Sequence, residues 1–258
     1  MRLIASNEKP SQPETMTCPT HGEYSVRYTD CVLGKSIRYE ACPGCEKVAS
    51  ENNFALASER EERERMERLE KARRASGLGA RHIRCDLSNY SVSTAGQAKA
   101  LASATEYVDA LANGSASCLI MCGKVGTGKT HLAAAMVNRL VEQRIRCRIV
   151  KLADLVREIK STWAKTSERS ESDVIAFYSA LPALFLDEVG VQFGSDTEKL
   201  LISEIIDNRY QELRPTVLIS NLDITGVKQC IGERSYDRLR EDGGKVIAFD
   251  WESFRGAA

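Results

Sequence analysis

The sequence contains the segment Gly123-Lys124-Val125-Gly126-Thr127-Gly128-Lys129-Thr130, which fits the pattern G-x-x-x-x-G-K-[ST]. The segment stands between a short apolar run and a stretch with helical periodicity. Glycines let the backbone fold around phosphate groups, so that its N–H groups and the N-terminus of the next helix face the anion. A glycine-rich turn that holds no nucleotide is the alternative. The pattern and its context predict a phosphate-binding loop.

Each residue type in this loop has an expected role toward ATP or ADP. The Lys129 ammonium is expected to reach the β- and γ-phosphates, and the Thr130 hydroxyl is expected to bind Mg²⁺. The residues expected to contact the nucleotide are Gly123, Val125, Gly126, Thr127, Gly128, Lys129, Thr130 and His131.

Two carboxylates follow the apolar run 183–186. Ligands of open α/β sheets lie at the carboxyl ends of the strands. We expect Asp187 to hold Mg²⁺ through water and Glu188 to orient and deprotonate the attacking water, a role that hydrolysis requires. Asn221 follows the next strand, 216–220, and is expected near the γ-phosphate, between the two earlier strand ends. Asn at a strand end is also a common turn starter.

The pattern around these motifs alternates between helix and strand. Strands are predicted at 118–122, 147–151, 183–186, 216–220 and 246–249, and helices at 129–142, 152–163, 172–180, 196–212 and 232–240. Strands that are apolar throughout and separated by helices favour a parallel sheet covered on both faces. The predicted fold class is therefore α/β, with a five-stranded parallel sheet.

The N-terminal region carries four residues with zinc-ligand spacing: Cys18, His21, Cys42 and Cys45. Two close pairs, each on a tight turn, match what tetrahedral zinc needs, and four protein ligands make such a site structural. Closing the site would supply folding free energy that a short segment lacks. A redox pair at Cys42 and Cys45 is one alternative, and Cys31 in place of His21 is another.

Three regions follow from these patterns. Residues 1–48 are predicted to form a small zinc-ribbon-like module, with a polar leader at 1–16 and a hairpin that includes Tyr28 and Ile37. Residues 49–80 form a charged helix and linker with Glu–Arg pairs at helical spacing. This helix is either a solvated spacer or a docking surface for a partner along a thin apolar edge. Residues 81–258 form the ATPase domain.

Composition excludes several classes of protein. The 258 residues contain 36 basic and 36 acidic side chains, so neither a uniformly basic DNA-coating protein nor an acidic tail is indicated. The sequence shows no apolar run long enough for a membrane span and no signal-peptide core. Nine cysteines without such a signal indicate a reducing, cytoplasmic environment. The charge is uneven, since residues 124–169 carry 11 basic and 4 acidic side chains, whereas residues 170–212 carry 2 and 9.

Two arginines in the last predicted helix share one face. Arg234 and Arg238 are four residues apart, and an arginine supplied to a neighbouring subunit would stabilise charge at the γ-phosphate. An ordinary surface helix with ion pairs is the alternative.

Four segments of the chain, 123–135, 184–192, 231–240 and 250–255, resemble the DnaC-type helicase loaders of the AAA+ superfamily. The resemblance runs from Ser76 to Arg255, about two thirds of the chain. It extends, less closely, to the ATPase subunits that assist some transposases.

The resemblance implies an ATPase that binds the hexameric replicative helicase and helps to place it on single-stranded DNA. It implies self-association in which an arginine finger reaches the nucleotide of the adjacent subunit. Arg238 is the first candidate for this finger and Arg234 is the second. It also places residues 155–163 in a DNA-facing helix, with Lys160 for a phosphate and Trp163 for a base. Packing of Trp163 between helices is the alternative.

The N-terminal zinc motif departs from the best-known loader, whose N-terminal region is helical. The resemblance therefore leaves open whether the zinc module or the charged helix grips the helicase. A transposition helper of the same fold and a zinc-ribbon DNA-binding regulator with a nucleotide switch are the competing functions. The regulator is disfavoured because both Asp187 and Glu188 are present.

Overall fold

The computed structural model describes residues 3–6, 13–30, 36–164, 166–190 and 196–254. The chain divides into two compact units, Met1–Glu67 and Arg68–Ala258. Within the described residues, no helix has both the length and the apolar character that a membrane span requires.

The first unit is built from short antiparallel strands. Strands β1 (Leu3–Ser6), β5 (Ser36–Tyr39) and β4 (Arg27–Asp30) form one sheet in that order, and β2 (Thr15–Cys18) pairs with β3 (Gly22–Ser25). The predicted hairpin is confirmed, because β4 and β5 pair with Tyr28 opposite Arg38. The expected leader at 1–16 is wrong at both ends, since β1 and the start of β2 fall within it. Cys31 lies outside the described residues.

Helix α1 (Pro43–Ala75) begins six residues earlier than the sequence pattern predicts. It has no buried residue, and its charged side chains pair at helical spacing, as in Arg60–Glu64 and Arg74–Glu70. Each such exposed pair contributes only about 0.3–0.5 kcal/mol. A helix of this composition is held by propensity and many weak pairs, because it has no apolar face wide enough to pack.

The second unit contains a five-stranded parallel sheet in the order β10-β6-β9-β8-β7. Its elements are α2 (Ala95–Ala112), β6 (Leu119–Gly123), α3 (Lys129–Glu142), β7 (Cys147–Lys151), α4 (Leu152–Ser161), α5 (Glu171–Ala180), β8 (Ala183–Val189), α6 (Asp196–Gln211), β9 (Thr216–Ser220), α7 (Ile224–Ile231), α8 (Glu233–Arg240) and β10 (Lys245–Phe249). The predicted fold class is confirmed.

Both faces of this sheet are covered, because successive side chains of a strand point to opposite sides. Leu119 and Met121 of β6 belong to one buried cluster with α2 and α3. Ile120 and Cys122 belong to a second cluster with helices α4 to α8. Full burial on both faces explains why the strands read as continuous apolar runs.

Three predicted element boundaries are wrong. Helix α4 ends at Ser161, so Trp163 lies in the following turn. Strand β8 extends to Val189, so the acidic pair lies inside it, at a register shift against β9. A helix at 232–240 was expected, but α8 begins only after Gly232, which has a φ of +85° and separates it from α7.

Candidate active site and metal centre

The phosphate loop joins the C-terminus of β6 to the N-terminus of α3, as the sequence predicts. Gly123 has a φ of +130°, and a Cβ there would lie 2.2 Å from the carbonyl oxygen of Phe249 in the adjacent strand. Gly128 caps α3 with a φ of +91°. Only glycine combines these backbone angles with such close approach, so the loop geometry explains both positions.

The Lys129 side chain is buried and folded back onto its own loop. Its Nζ donates to the carbonyl oxygens of Gly123, at 2.8 Å, and Lys124, at 2.5 Å. Burial lowers the pKa of Lys129, and the nearby Asp187 carboxylate opposes that shift. The ammonium group therefore lies inside the loop, at the position where a phosphate group is expected to bind.

Asp187 and Thr130 together offer the oxygen atoms that a magnesium ion prefers. The Thr130 hydroxyl donates to Asp187 Oδ2 at 3.1 Å, and the backbone N–H of Glu188 donates to Asp187 Oδ1 at 2.8 Å. Asp187 is only 6% exposed, and burial raises the pKa of its carboxyl group. A hydroxyl beside a buried carboxylate fits Mg²⁺, which takes oxygen ligands.

Glu188 lies at the register shift in β8 and adopts a φ of +58°, which is unusual for a residue other than glycine. Its Oε1 is 2.9 Å from Lys151 Nζ, at the end of the neighbouring strand β7. This ion pair raises the pKa of Lys151. Sequence reasoning missed Lys151, although the last residue of the adjacent parallel strand is where a partner for a strand-end acid would stand.

A cavity of about 930 Å³ opens at this edge of the sheet. Most of the predicted nucleotide and catalytic residues line it together: Val125, Gly126, Thr127, Gly128, Lys129, Thr130, His131, Asp187, Glu188 and Asn221. The sheet order places β9, and so Asn221, between β6 and β8, as expected. Residues that sequence reasoning did not single out also line it, among them His82, Tyr90 and Phe254. A volume of this size accommodates a nucleotide.

Arg234 and Arg238 lie outside the residues that line this cavity. Arg238 is ion-paired with Asp207 of α6, and its guanidinium lies 5.2 Å from the centre of the Tyr210 ring. The Arg238 side chain is 14% exposed, whereas that of Arg234 is 76% exposed and 3.6 Å from the same carboxylate. Both arginines therefore share one acidic partner within their own chain.

Lys160 and Trp163 lie at the end of α4 and just after it. Lys160 Nζ is 2.8 Å from Glu198 Oε1, and the Trp163 indole donates to Glu171 at 2.5 Å. Trp163 is 55% exposed, so the alternative that it packs between helices is wrong.

Cys18, His21, Cys42 and Cys45 come together with their ligand atoms all within 4.8 Å of one another. The His21 Nδ1 atom is 3.4 Å from Cys45 Sγ and 3.7 Å from each of the other two sulfurs. Ligands around tetrahedral zinc, bonded at about 2.3 Å, stand about 3.7 Å apart, so the cluster fits that ion.

Local backbone features shape this cluster. Cys45 stands on the first turn of α1 rather than on a separate tight turn. A Cβ at Gly44 would lie 2.7 Å from the His21 ring, so a larger residue there would displace the imidazole. The backbone N–H of Thr20 and the His21 side chain lower the pKa of Cys18 to about 6, whereas the hydrogen bond with Cys18 raises the pKa of Cys45 to about 11. A readily formed thiolate is the state in which a cysteine binds metal.

Comparison with known proteins supports the nucleotide site. Residues 45–243 match the family of IstB-like ATP binding proteins. The chain is 37% identical over 180 residues to the replicative helicase loader DnaC of Buchnera aphidicola subsp. Schizaphis graminum, and 36% identical to that of Escherichia coli K12. Each alignment covers 70% of this chain and 73% of the relative.

A solved structure shows the same fold. The crystal structure of the DnaC helicase loader superposes with a TM-score of 0.60 at 24% identity, covering 67% of this chain and all of that one. This chain belongs to the family of IstB-like ATP binding proteins, and the DnaC helicase loaders are among its relatives.

Proposed function

We propose that this protein loads a hexameric replicative helicase onto single-stranded DNA in the bacterial cytosol, with ATP as its control. The observation that carries the proposal is the 36–37% identity to DnaC loaders over 180 residues. The geometry supports it, because the phosphate loop, the buried carboxylate of Asp187 and the carboxylate of Glu188 line one cavity. The resemblance found from the sequence motifs leads to the same family.

We also propose that the site hydrolyses ATP. Water would form a bond to the γ-phosphorus while the bond from that phosphorus to the ADP oxygen breaks, and Mg²⁺ would neutralise the charge that develops on the phosphates. Lys129 and the loop amides would bind the phosphates, and Thr130 and Asp187 would hold the metal. Glu188 would accept the proton of the attacking water, and the Asn221 amide would contact the γ-phosphate. The Glu188 carboxylate is engaged by Lys151, so this ion pair must open before Glu188 acts as a base.

The placement of the arginines supports a role between subunits. Because Arg234 and Arg238 lie outside their own cavity, they can reach a γ-phosphate only in another copy. Mixing Arg238→Ala protomers with Lys129→Ala protomers tests this. Each variant alone lacks one half of every site, whereas the mixture joins an intact loop to an intact arginine and recovers hydrolysis. No recovery in either this mixture or one made with Arg234→Ala would contradict the role in trans.

Single-stranded DNA is proposed to contact Lys160 and the exposed ring of Trp163. A base can stack on an exposed indole, and a lysine can contact a phosphate. Exposure of Trp163 supports the proposal. Quenching of Trp163 fluorescence by an oligonucleotide, absent in Trp163→Ala, would measure the contact.

The N-terminal cluster is proposed to hold a structural zinc ion in a module spanning residues 1–48. Four ligands that converge at the right separations leave no position for water or substrate. We further propose that residues 49–80 connect this module to an ATPase domain at 81–258. The first module and α1 are the candidate surfaces for gripping the helicase.

The partner is tested by mass measurement of complexes. The purified protein is mixed with ATP and the host's hexameric replicative helicase, and separately with a transposase. A complex with the helicase alone is expected. Binding only to the transposase would favour the transposition helper instead. Sequence-specific duplex binding without hydrolysis would favour the zinc-ribbon regulator.

A further inference from the structure

Three hydrogen bonds tie the phosphate loop to the segment that follows β10. The backbone N–H of Lys124 donates to Phe249 O at 2.9 Å, and that of Phe254 donates to Gly126 O at 3.0 Å. Between them, the indole Nε1 of Trp251 donates to Thr127 O at 3.0 Å. Residues 249–254 therefore lie against the loop.

A second side chain, from a residue that precedes the loop in the sequence, donates to the same carbonyl oxygen. The Tyr90 hydroxyl donates to Thr127 O at 3.3 Å. The phenol also lies against Gly128, where an added Cβ would be 3.2 Å from its oxygen. Thr127 is fully buried, and its carbonyl oxygen accepts hydrogen bonds from two side chains.

The direction of a carbonyl fixes the direction of the next N–H. The peptide unit is planar and trans, so the C=O of one residue and the N–H of the following residue point in opposite directions. With Thr127 O held by Tyr90 and Trp251, the Gly128 N–H points the opposite way, and with Gly126 O held by the Phe254 N–H, so does the Thr127 N–H. Successive amides that face inward make an anion-binding concavity.

We propose that Tyr90 and Trp251 are positioning residues for the phosphate loop, which fix the Thr127–Gly128 peptide so that its N–H faces a nucleotide phosphate. The loop motif does not predict either side chain, because both residues lie far from it in the sequence. The inference rests on the ATP site alone and not on the helicase, so its failure would leave the proposed partner untouched.

Packing holds both donors in place before any nucleotide binds. The Trp251 ring lies 4.9 Å from the Phe249 ring, and a Cβ at Gly96 would lie 3.2 Å from the indole. Tyr90 is 7% exposed and lies 5.7 Å, edge to face, from the His131 ring. A loop that is already shaped for the phosphate loses less freedom when it binds.

The test compares Tyr90→Phe, Trp251→Phe and the double variant with the unmodified protein. Each substitution removes one donor and keeps an aromatic ring. ADP affinity is measured by titration calorimetry with Mg²⁺ present, together with the urea midpoint of the nucleotide-free protein. We expect each single variant to bind ADP about threefold to tenfold more weakly, the worth of one neutral hydrogen bond. The double variant should lose more than the product of the two, because a single variant still has one donor.

Tyr107→Phe is the matched control, since its hydroxyl donates to Ser117 O at 3.0 Å away from the loop. It should leave ADP affinity unchanged. A double variant that is folded and binds ADP within twofold of the unmodified protein would overturn the proposal. Equal losses in the control and in Tyr90→Phe would overturn it as well. If Trp251→Phe does not fold, Tyr90→Phe against Tyr107→Phe decides alone.

Discussion

The chemistry of the site depends on the contacts of three charged side chains at the carboxyl edge of the sheet. Asp187 is buried against the Thr130 hydroxyl, Glu188 points to Lys151, and Lys129 occupies the loop. In the absence of nucleotide, each charge therefore has a partner within the protein. A bound nucleotide and its metal would compete with these partners for the same side chains.

Asp187→Asn should make the nucleotide-free protein more stable at neutral pH. Burial raises the pKa of the Asp187 carboxyl, so folding disfavours its charged form. This makes stability fall as pH rises from the unfolded pKa of 3.8 through the higher folded value, and the cost persists at neutral pH. Urea unfolding at pH 7 without Mg²⁺ should show a higher midpoint for the variant.

The same variant should lose ATP hydrolysis about a hundredfold or more, because a metal ligand is missing. The stability gain should disappear as the pH falls below the unfolded pKa of 3.8, because the carboxyl is then neutral in both the folded and the unfolded state. A variant that is less stable at pH 7 would show that the buried charge is favourable there.

Residue identities at the site were largely predictable, and their partners were not. The loop, the acidic pair and Asn221 follow from local patterns at strand ends, and the cavity unites them. Lys151 and Asp207 were missed because their partners, Glu188 and Arg238, stand more than 30 positions away in the sequence. Such contacts depend on strand order and helix packing, which local patterns do not encode.

At the scale of elements, one buried arginine holds three element ends together. Arg209 of α6 is fully buried and donates to carbonyls at the end of α5, including Tyr178 O and Leu181 O, both at 2.8 Å. It also donates to Pro215 O at 2.6 Å, just before β9. Burial lowers the pKa of Arg209 to about 10, which still leaves it charged at neutral pH. Carbonyl oxygens replace the usual acidic partner.

Arg209→Met should destabilise the second unit by at least about 3 kcal/mol, because it leaves several buried carbonyls without a donor. Arg139→Met is the control, since Arg139 makes an exposed pair with Asp109 that is worth under about 1 kcal/mol. The measurement is the free energy of urea unfolding. Similar losses in both variants would show that the carbonyl contacts of Arg209 carry no special weight.

The ends of α3, β7 and β9 agree with the sequence pattern, whereas those of β8 and α4 do not. The agreement is best where an apolar run meets glycine or a charged residue. The pattern ends β8 at Leu186 because the polar acids follow, but the sheet continues the strand through a register shift to Val189. Pairing of Asp187 with Lys151 of β7 and of Val189 with Ser220 of β9 overrides the local polarity at that point.

At the scale of the whole molecule, the net charge of zero is the sum of two opposed regions. Residues 124–169 have an excess of basic side chains, and residues 170–212 have an excess of acidic ones. Two ion pairs join these regions, Lys151–Glu188 and Lys160–Glu198. Both lysines lie at the ends of the elements where phosphate groups are proposed to bind, so ligand phosphates would compete with protein carboxylates.

Zinc removal should unfold the N-terminal module and leave the nucleotide site intact. Among residues 13–29 and 37–48, whose burial the structure describes, the buried side chains are Cys18, Val26 and Cys42, which is too little to sustain a fold without the metal. After chelation and return of Mg²⁺, proteolysis should cut this segment while ADP still binds. Cys42→Ser should behave in the same way, whereas Cys230→Ser should not. Purified protein with no zinc and a protease-resistant module would contradict the assignment.

We propose that this protein places a ring-shaped helicase on DNA under the control of ATP. The direct measurement is recruitment of the hexameric helicase to a covalently closed circle of single-stranded DNA, which has no end to thread through a closed ring. With this protein and ATP, the helicase should become stably linked to the circle. With Lys129→Ala, which should no longer bind ATP, the helicase should stay off it. Equal association of the helicase with the circle in the absence of this protein, or with the variant, would contradict the claim.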